Sequence, residues 1–372
     1  MTVETAETQS FRNTGKFFDV LGLALKNAAL TLLTLTLYRF WARTSMRRRV
    51  WSRVWVMGDA LEYTGSAMDL FRGFLISLPC FFLPAIFVYY IAPLMMDPPV
   101  AGLLAIGFYL IAIPLVAAAR YWMRRYQLSR TRWRGIAMAL AGSAWAFAFA
   151  SSGWTVLQWL SLGWYTPVAR MNQARLLWTN ARFGDQPFEF IEDGAPAQKG
   201  LWWPFALAWF GFIIVPVVFT IAGSLVIASY AVGHRAPPNA QPTPEMIAYI
   251  IAGYAAGAVA GFIVWQALWA PYNAAAMNRI ASLIALDGAR FKLKAKTFSL
   301  FFVTMAGWIL IALSLGLLSP VAGFLRVRYV IARLEMIGTP RFAEIGQSVL
   351  KGPGAGESLA NAFDLDMGVG II

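Results

Sequence analysis

The chain has 372 residues, of which 59% are hydrophobic and only 13% charged, with a mean hydropathy of +0.59. A soluble domain carries about 25% charged residues, so this composition excludes an ordinary water-soluble globule and calls for several membrane-embedded segments of roughly 20 residues each. The net charge of +13 flanks the apolar stretches, which fits anionic lipid headgroups and argues against nucleic acid as the partner.

A polar tail (1–10) opens the chain; it has no basic stretch followed by an apolar run, so no cleaved signal peptide is expected. FRNTG at 11–15 alternates as a short strand does. The first apolar segment, 17–41, carries Lys26 and Asn27 and ends in TLTLYRFWAR, and Arg43, Arg47, Arg48 and Arg49 follow, interleaved with Trp51 and Trp55. Gly58 marks a turn, and LEYTG at 61–65 is a second strand signal. Segments 70–93 and 100–119 are joined by MMDPPVAG, whose prolines cannot continue a helix, so they read as a helical hairpin. Cys80, the single cysteine, lies in the first of these and is expected to be a small buried hydrophobe.

Arg120, Arg124 and Arg125 close that hairpin, and TRWRG at 131–135 repeats the strand signal. Segment 136–165 stands alone and ends in SLGWYTPVAR, followed by Arg175 and the turn glycine Gly184. FEFIE at 188–192 precedes a second hairpin, 201–232 and 246–270, joined by GHRAPPNAQPTPE; Asn273, Asn278 and Arg279 come after it. FKLKA at 291–295 leads to segment 297–319, which ends in SLGLLSPVAG, with Arg326 and Arg328 beyond. Gly338, FAEIG at 342–346, and a glycine-rich linker to an acidic tail (347–372) complete the chain.

The three lone segments end alike. Aligning Leu35, Leu162 and Leu315 aligns Arg43, Arg170 and Gly323 without gaps, and Pro167 and Pro320 suit the first turn of a new helix. The phrase reads as helix, break, second helix, and arginine with tryptophan on that second helix suggests one lying in the membrane interface. The expected fold is an all-α polytopic membrane protein with seven hydrophobic helical segments. Four are spans paired as two hairpins, three are lone segments that either span or re-enter, and basic interfacial helices and short strands link them. The recurrence divides the chain into repeat 1 (11–130), repeat 2 (131–290) and a half repeat (291–346). If all seven cross, the two large repeats are inverted, as in transporters. If the lone segments return, the basic arms share one side and the positive-inside rule is better obeyed.

The phrases resemble the YjgN family of bacterial inner-membrane proteins of unknown function. The resemblance is carried by Asn27 followed by LTLLTLTLYRFWAR and the arginine run, by SLGLLSPVAGFLRVRY at 314–329, and by FDLDMG at 363–368. The family pattern has glycine where this chain has Thr36, and often tryptophan where it has Val321. The resemblance implies a multi-pass protein of the bacterial inner membrane, and the family's gene neighbourhood makes a membrane zinc metallopeptidase a candidate partner.

Catalytic material is sparse. One histidine, His234, sits in a proline-rich connector, and neither HExxH nor G-x-S-x-G occurs, so neither a metal, a cofactor nor an enzymatic activity is expected. Two constellations remain. Lys26, Asn27, Asn273 and Asn278 are polar groups within apolar segments, where such groups are costly and often functional. Arg43, Arg47, Arg48, Arg49, Arg120, Arg124, Arg125, Arg170, Arg175, Arg326 and Arg328 would bind lipid headgroups. The leading expectation is a non-enzymatic platform for lipids and a partner; the alternative is a transporter or lipid-moving protein with a polar site between inverted repeats.

Overall fold

A computed structural model describes residues 8–233, 243–342 and 344–347 of the chain. His234 and the glycine-rich linker and acidic tail lie outside the described residues. Within them, helices come in antiparallel pairs: α1 (Phe17–Leu33) with α2 (Arg39–Trp51), α3 (Ala67–Met95) with α4 (Pro98–Ser129), α5 (Ala144–Leu160) with α6 (Thr166–Asn180), α7 (Trp202–Gly233) with α8 (Pro244–Ser282), and α9 (Thr297–Leu313) with α10 (Ser319–Ile331). Ser66 and Ser143 cap α3 and α5 by accepting from the backbone N–H groups of Met68 and Ala146. Pro79 and Pro84 interrupt the backbone ladder of α3, which carries π-helical turns at Leu78–Phe82 and Phe87–Ile91.

Between the helix pairs the chain forms short strands: β1 (Thr8–Asn13), β2 (Val54–Val56), β3 (Asp59–Ala60), β4 (Glu62–Tyr63), β5 (Thr131–Trp133), β6 (Ile136–Leu140), β7 (Ala181–Phe183), β8 (Gln186–Phe190), β9 (Ile284–Leu286), β10 (Ala289–Leu293) and β11 (Leu334–Ile337). All pair antiparallel in one sheet, in the order β3-β2-β1-β11-β10-β9-β8-β7-β6-β5-β4. The two ends of that order, β3 and β4, are separated only by Leu61. Leu61 N–H donates to the Val54 carbonyl on one side (2.9 Å), and Thr64 N–H to the Arg130 carbonyl on the other (2.8 Å). The sheet therefore closes on itself. Closure abolishes exposed edges, which is how strands this short become stable together.

Three of the strand hairpins share one turn type. Met57-Gly58, Arg134-Gly135 and Asp287-Gly288 each have positive φ at both residues, the two-residue hairpin turn whose twist matches the flanking strands. One pairing, Thr8–Asn13 against Leu334–Ile337, joins strands that are not consecutive, the first described strand to the last.

The register sorts side chains into two faces. Phe11, Val56, Leu61, Tyr63, Trp133, Ile136, Met138, Phe183, Phe188, Leu286, Phe291 and Met336 fall on one, and these are buried or half-buried. They pack across the ring: the Trp133 indole donates to the Val56 carbonyl (3.1 Å), and Phe291 meets Phe11 and Phe188. Arg12, Trp55, Glu62, Arg132, Glu189, Arg290 and Lys292 fall on the other face and are exposed. An aromatic lumen inside and charge outside is the period-2 pattern of a half-buried strand, wrapped into a ring.

Several expectations are corrected. The chain is not all-α, because the alternating stretches find successive partners around the ring and form eleven strands. Among the described residues, four helices are long and apolar enough to cross a membrane, Ala67–Met95, Pro98–Ser129, Trp202–Leu225 and Ile247–Ser282, which are the expected two hairpins; the three lone segments, left open between spanning and re-entry, are not among them. The lone segments give helices of 17 residues, and the first residues of segment 136–165 are strand β6. Of FAEIG at 342–346, Ala343 lies outside the described residues, and Phe342 and residues 344–346 are not strand; they belong to a strap that follows β11. The basic helices are packed against the rest of the fold. α2 buries Phe40, Ala42, Thr44, Met46 and Val50, and α10 buries Val321, Ala322, Gly323 and Phe324, so both are packed returns to the sheet. Cys80 is exposed on the outer surface of α3.

Candidate functional site

The four intramembrane polar residues do not converge. Lys26 is exposed on α1, where its long stem can carry the ammonium toward headgroups. Asn27 is buried and ties α1 to α2, its amide donating to Ser45 Oγ (3.0 Å) and the Ala42 carbonyl (3.4 Å). Asn273 accepts from Arg170 (2.8 Å), whose guanidinium also lies over the Tyr272 ring. Asn278 makes a two-way amide bridge, donating to the Ala295 carbonyl (2.9 Å) and accepting from the Ala295 N–H (2.8 Å). These are the bonds of helix glue rather than of a shared cavity. Asn278→Ala should leave both groups of Ala295 unpartnered, at about 1–3 kcal/mol, read as a lowered melting temperature in detergent.

Asn278 also exposes a rule that the sequence hid. It stands six residues before its strand, as do Arg48, Arg125 and Arg175. Arg48 donates to the Gly65 carbonyl (3.3 Å), Arg125 to the Gly142 carbonyl, and Arg175 to Glu192 (2.5 Å). Each thus clamps a returning helix to the segment just before the next outgoing one. One residue further on, Tyr126 and Tyr329 do the same work. The Tyr126 hydroxyl accepts from Ser66 N–H (3.3 Å) and donates to Asp69 (3.3 Å); the Tyr329 hydroxyl accepts from Lys296 N–H (3.0 Å). Neither tyrosine was singled out in the sequence, and only the strand register makes the spacing visible.

The basic residues accordingly divide. Arg48, Arg125, Arg170 and Arg175 bond neighbouring elements, and Arg43, Arg47, Arg124 and Arg326 have polar, ionic or ring contacts of their own. Arg49, Arg120 and Arg328 are exposed, as are Arg48, Arg175 and Arg326. Arg279 forks onto Asp193 (2.7 and 3.0 Å) and also donates to the Ala197 carbonyl; that hydrogen bonding pushes the Asp193 carboxyl down to about 2.

At the turn end of the sheet a strap crosses the ring. Arg341 binds Asp287 through its backbone N–H (2.8 Å) and its guanidinium (3.0 and 3.3 Å), holding that carboxyl below its ordinary value. Phe342 sits edge-on against Trp133 and Phe183, with ring centroids 4.8 and 6.1 Å away. Ile345 is buried, Gly346 exchanges two hydrogen bonds with Asp185, and the Gln347 side chain accepts from Ala137 N–H (3.1 Å). The strap therefore visits three successive hairpins. Among the described residues, no group of three or more His, Cys, Asp or Glu side chains is placed to hold a metal.

No curated protein and no solved structure matches this chain. Its four long apolar helices make it a multi-pass membrane protein by length and composition. Over residues 8–362 the sequence matches the model of a family described as bacterial protein of unknown function (DUF898), in agreement with the YjgN-like phrases, and the chain belongs to that family.

Proposed function

We propose that this is a non-enzymatic protein of the bacterial inner membrane whose closed sheet forms a platform on one membrane face, binding anionic lipid headgroups and a partner protein. The observation that supports this best is that both ends of every helix pair rejoin the same closed sheet. If the two long pairs cross the bilayer, the sheet and all the helix ends attached to it share one side. Exposed Arg48, Arg49, Arg175 and Arg328 then gather there with Arg12, Arg132, Arg290 and Lys292 of the outer sheet face. That is the cytoplasmic side by the positive-inside rule. The recurrence of helix pair and strand pair supports descent by internal duplication. A transport reading needs a shared polar site, and the separate partners of Asn27, Asn273 and Asn278 favour the platform instead.

The test is lipid binding by Arg49→Glu/Arg120→Glu/Arg328→Glu, three exposed positions, in a zwitterionic detergent with labelled phosphatidylglycerol. At roughly 1 kcal/mol per basic residue near anionic lipid, affinity should fall about a hundredfold. Unchanged affinity in the folded variant would count against the platform.

A further inference from the structure

The three turns that join the short helix pairs are built alike in detail. Leu35, Leu162 and Leu315 have φ of 49°, 50° and 50°, and each is followed by a second positive-φ residue, Thr36, Gly163 or Gly316. A left-handed residue ending a helix is ordinarily glycine or asparagine, because a side chain there costs about 1–2 kcal/mol. Leucine occupies it three times, and it is 86%, 77% and 93% exposed at those positions. Beside these, Leu33, Leu160 and Leu313 are 80%, 77% and 82% exposed.

The backbone N–H groups of these turns are satisfied within the turns themselves. In the first, the N–H groups of Thr34, Leu35, Thr36, Leu37 and Arg39 go to carbonyls of Leu30, Leu32, Thr31, Thr34 and Thr36, and Tyr38 N–H goes to Thr34 Oγ1. Ser161 to Thr166 and Ser314 to Ser319 repeat the pattern donor for donor, with Tyr165 N–H on Ser161 Oγ and Leu318 N–H on Ser314 Oγ, both at 2.9 Å. Each of those hydroxyls also donates to a carbonyl of the preceding helix. Even the Leu162 carbonyl has a partner, the Trp209 indole at 2.7 Å.

Non-helical backbone is tolerated in hydrocarbon only when its polar groups are satisfied by protein. Nothing charged lies between Asn27 and Tyr38, between Ala144 and Ala169, or between Thr297 and Leu325. Arg39, four residues beyond Leu35, lays its guanidinium over the Phe40 and Phe74 rings. A 17-residue helix rises about 25 Å, roughly one turn short of the ~30 Å hydrocarbon core.

We propose that the turns at Leu35, Leu162 and Leu315 are buried in the hydrocarbon core, so that the three short helix pairs are re-entrant wedges entering from the sheet side, their leucine tips contacting lipid acyl chains. Leucine replaces asparagine at the left-handed position because the tip has acyl chains, not water, as its neighbour. The inference rests on the one-sided sheet, and the experiment separates the two.

Single cysteines replace Leu33, Leu160 or Leu313, on regular exposed helix beside the tips, in full-length Cys80→Ala protein in sealed liposomes. Arg53→Cys reports the sheet side and Asp97→Cys, in the exposed connector of the first long pair, the other side. An impermeant maleimide should reach Arg53→Cys and Asp97→Cys from opposite sides and none of the tip positions from either. A nitroxide at each tip should collide with oxygen far more than with a water-soluble nickel chelate. Tip labelling from the Asp97 side would mean full crossing, and labelling from the Arg53 side a surface location; either overturns the wedges. Arg53 and Asp97 labelling from one side would instead overturn the long spans and the one-sided platform, whatever the tips show.

Discussion

Removing residues 1–13 should destroy the fold rather than trim a terminus. Thr8–Asn13 fills the gap between the last strand and the second, pairing Thr8, Gln9 and Ser10 with Ile337, Met336 and Glu335, and Phe11, Arg12 and Asn13 with Val56, Trp55 and Val54. Six pairings at a net ~1 kcal/mol each sum to about 6 kcal/mol, before the half-buried Phe11 ring is counted. That is comparable to the whole stability of many domains, and it leaves two open strand edges to aggregate. The expected outcome is loss of monodisperse protein on size exclusion. The converse variant is Ser10→Cys with Glu335→Cys in Cys80→Ala protein, since those residues face each other in register. Oxidation should form a crosslink visible as a gel shift and stabilise the ring by about 2–4 kcal/mol. Failure to crosslink would contradict the closure, and a well-behaved truncated protein would show that β1 is dispensable.

What the sequence revealed followed the strength of each periodic signal. The two proline-linked pairs were plain because more than 20 apolar residues in a row have few other fates. The helix breaks were plain because Leu35, Leu162 and Leu315 head the same phrase, and Pro167 and Pro320 both fall at the start of a returning helix. The sheet was not. Strands such as Ala181–Phe183 or Glu62–Tyr63 are too short to carry a pattern, and their partners are set by ring order, not by local composition. The structural bonds of the arginines were hidden for a related reason. Arg48 and Arg125 donate to the Gly65 and Gly142 carbonyls, and the sequence cannot place those carbonyls beside them. Phe342 was noticed as part of an alternating stretch, yet its ring fills an aromatic slot rather than a strand position.

That slot supports the second large effect, release of the strap by Phe342→Ala. Burying a phenylalanine fully contributes about 1.5–3 kcal/mol; Phe342 is half-buried, so about 1.5 kcal/mol is expected, or roughly tenfold in the open population. Limited proteolysis after residue 338 should speed up by that factor while the membrane core stays intact. Gly184→Ala should act from the opposite side of the contact, because its new Cβ would stand 2.2 Å from the Gly346 carbonyl oxygen, a backbone atom that cannot swing away. Gly58→Ala is the control: it also has positive φ, but nothing lies within 4 Å, so it strains a hairpin without touching the strap. Acid should loosen the strap in a defined window. The hydrogen bonds from Arg341 lower the Asp287 carboxyl from its ordinary 3.8, so that contribution is complete above 3.8 and is lost as pH falls through the lower folded value. Proteolysis should therefore be flat from about pH 8 to pH 5 and rise only below about pH 4, with Asp287→Asn abolishing the rise. If Phe342→Ala and Gly184→Ala cleave at the parental rate, the strap is held by something other than the Trp133 slot.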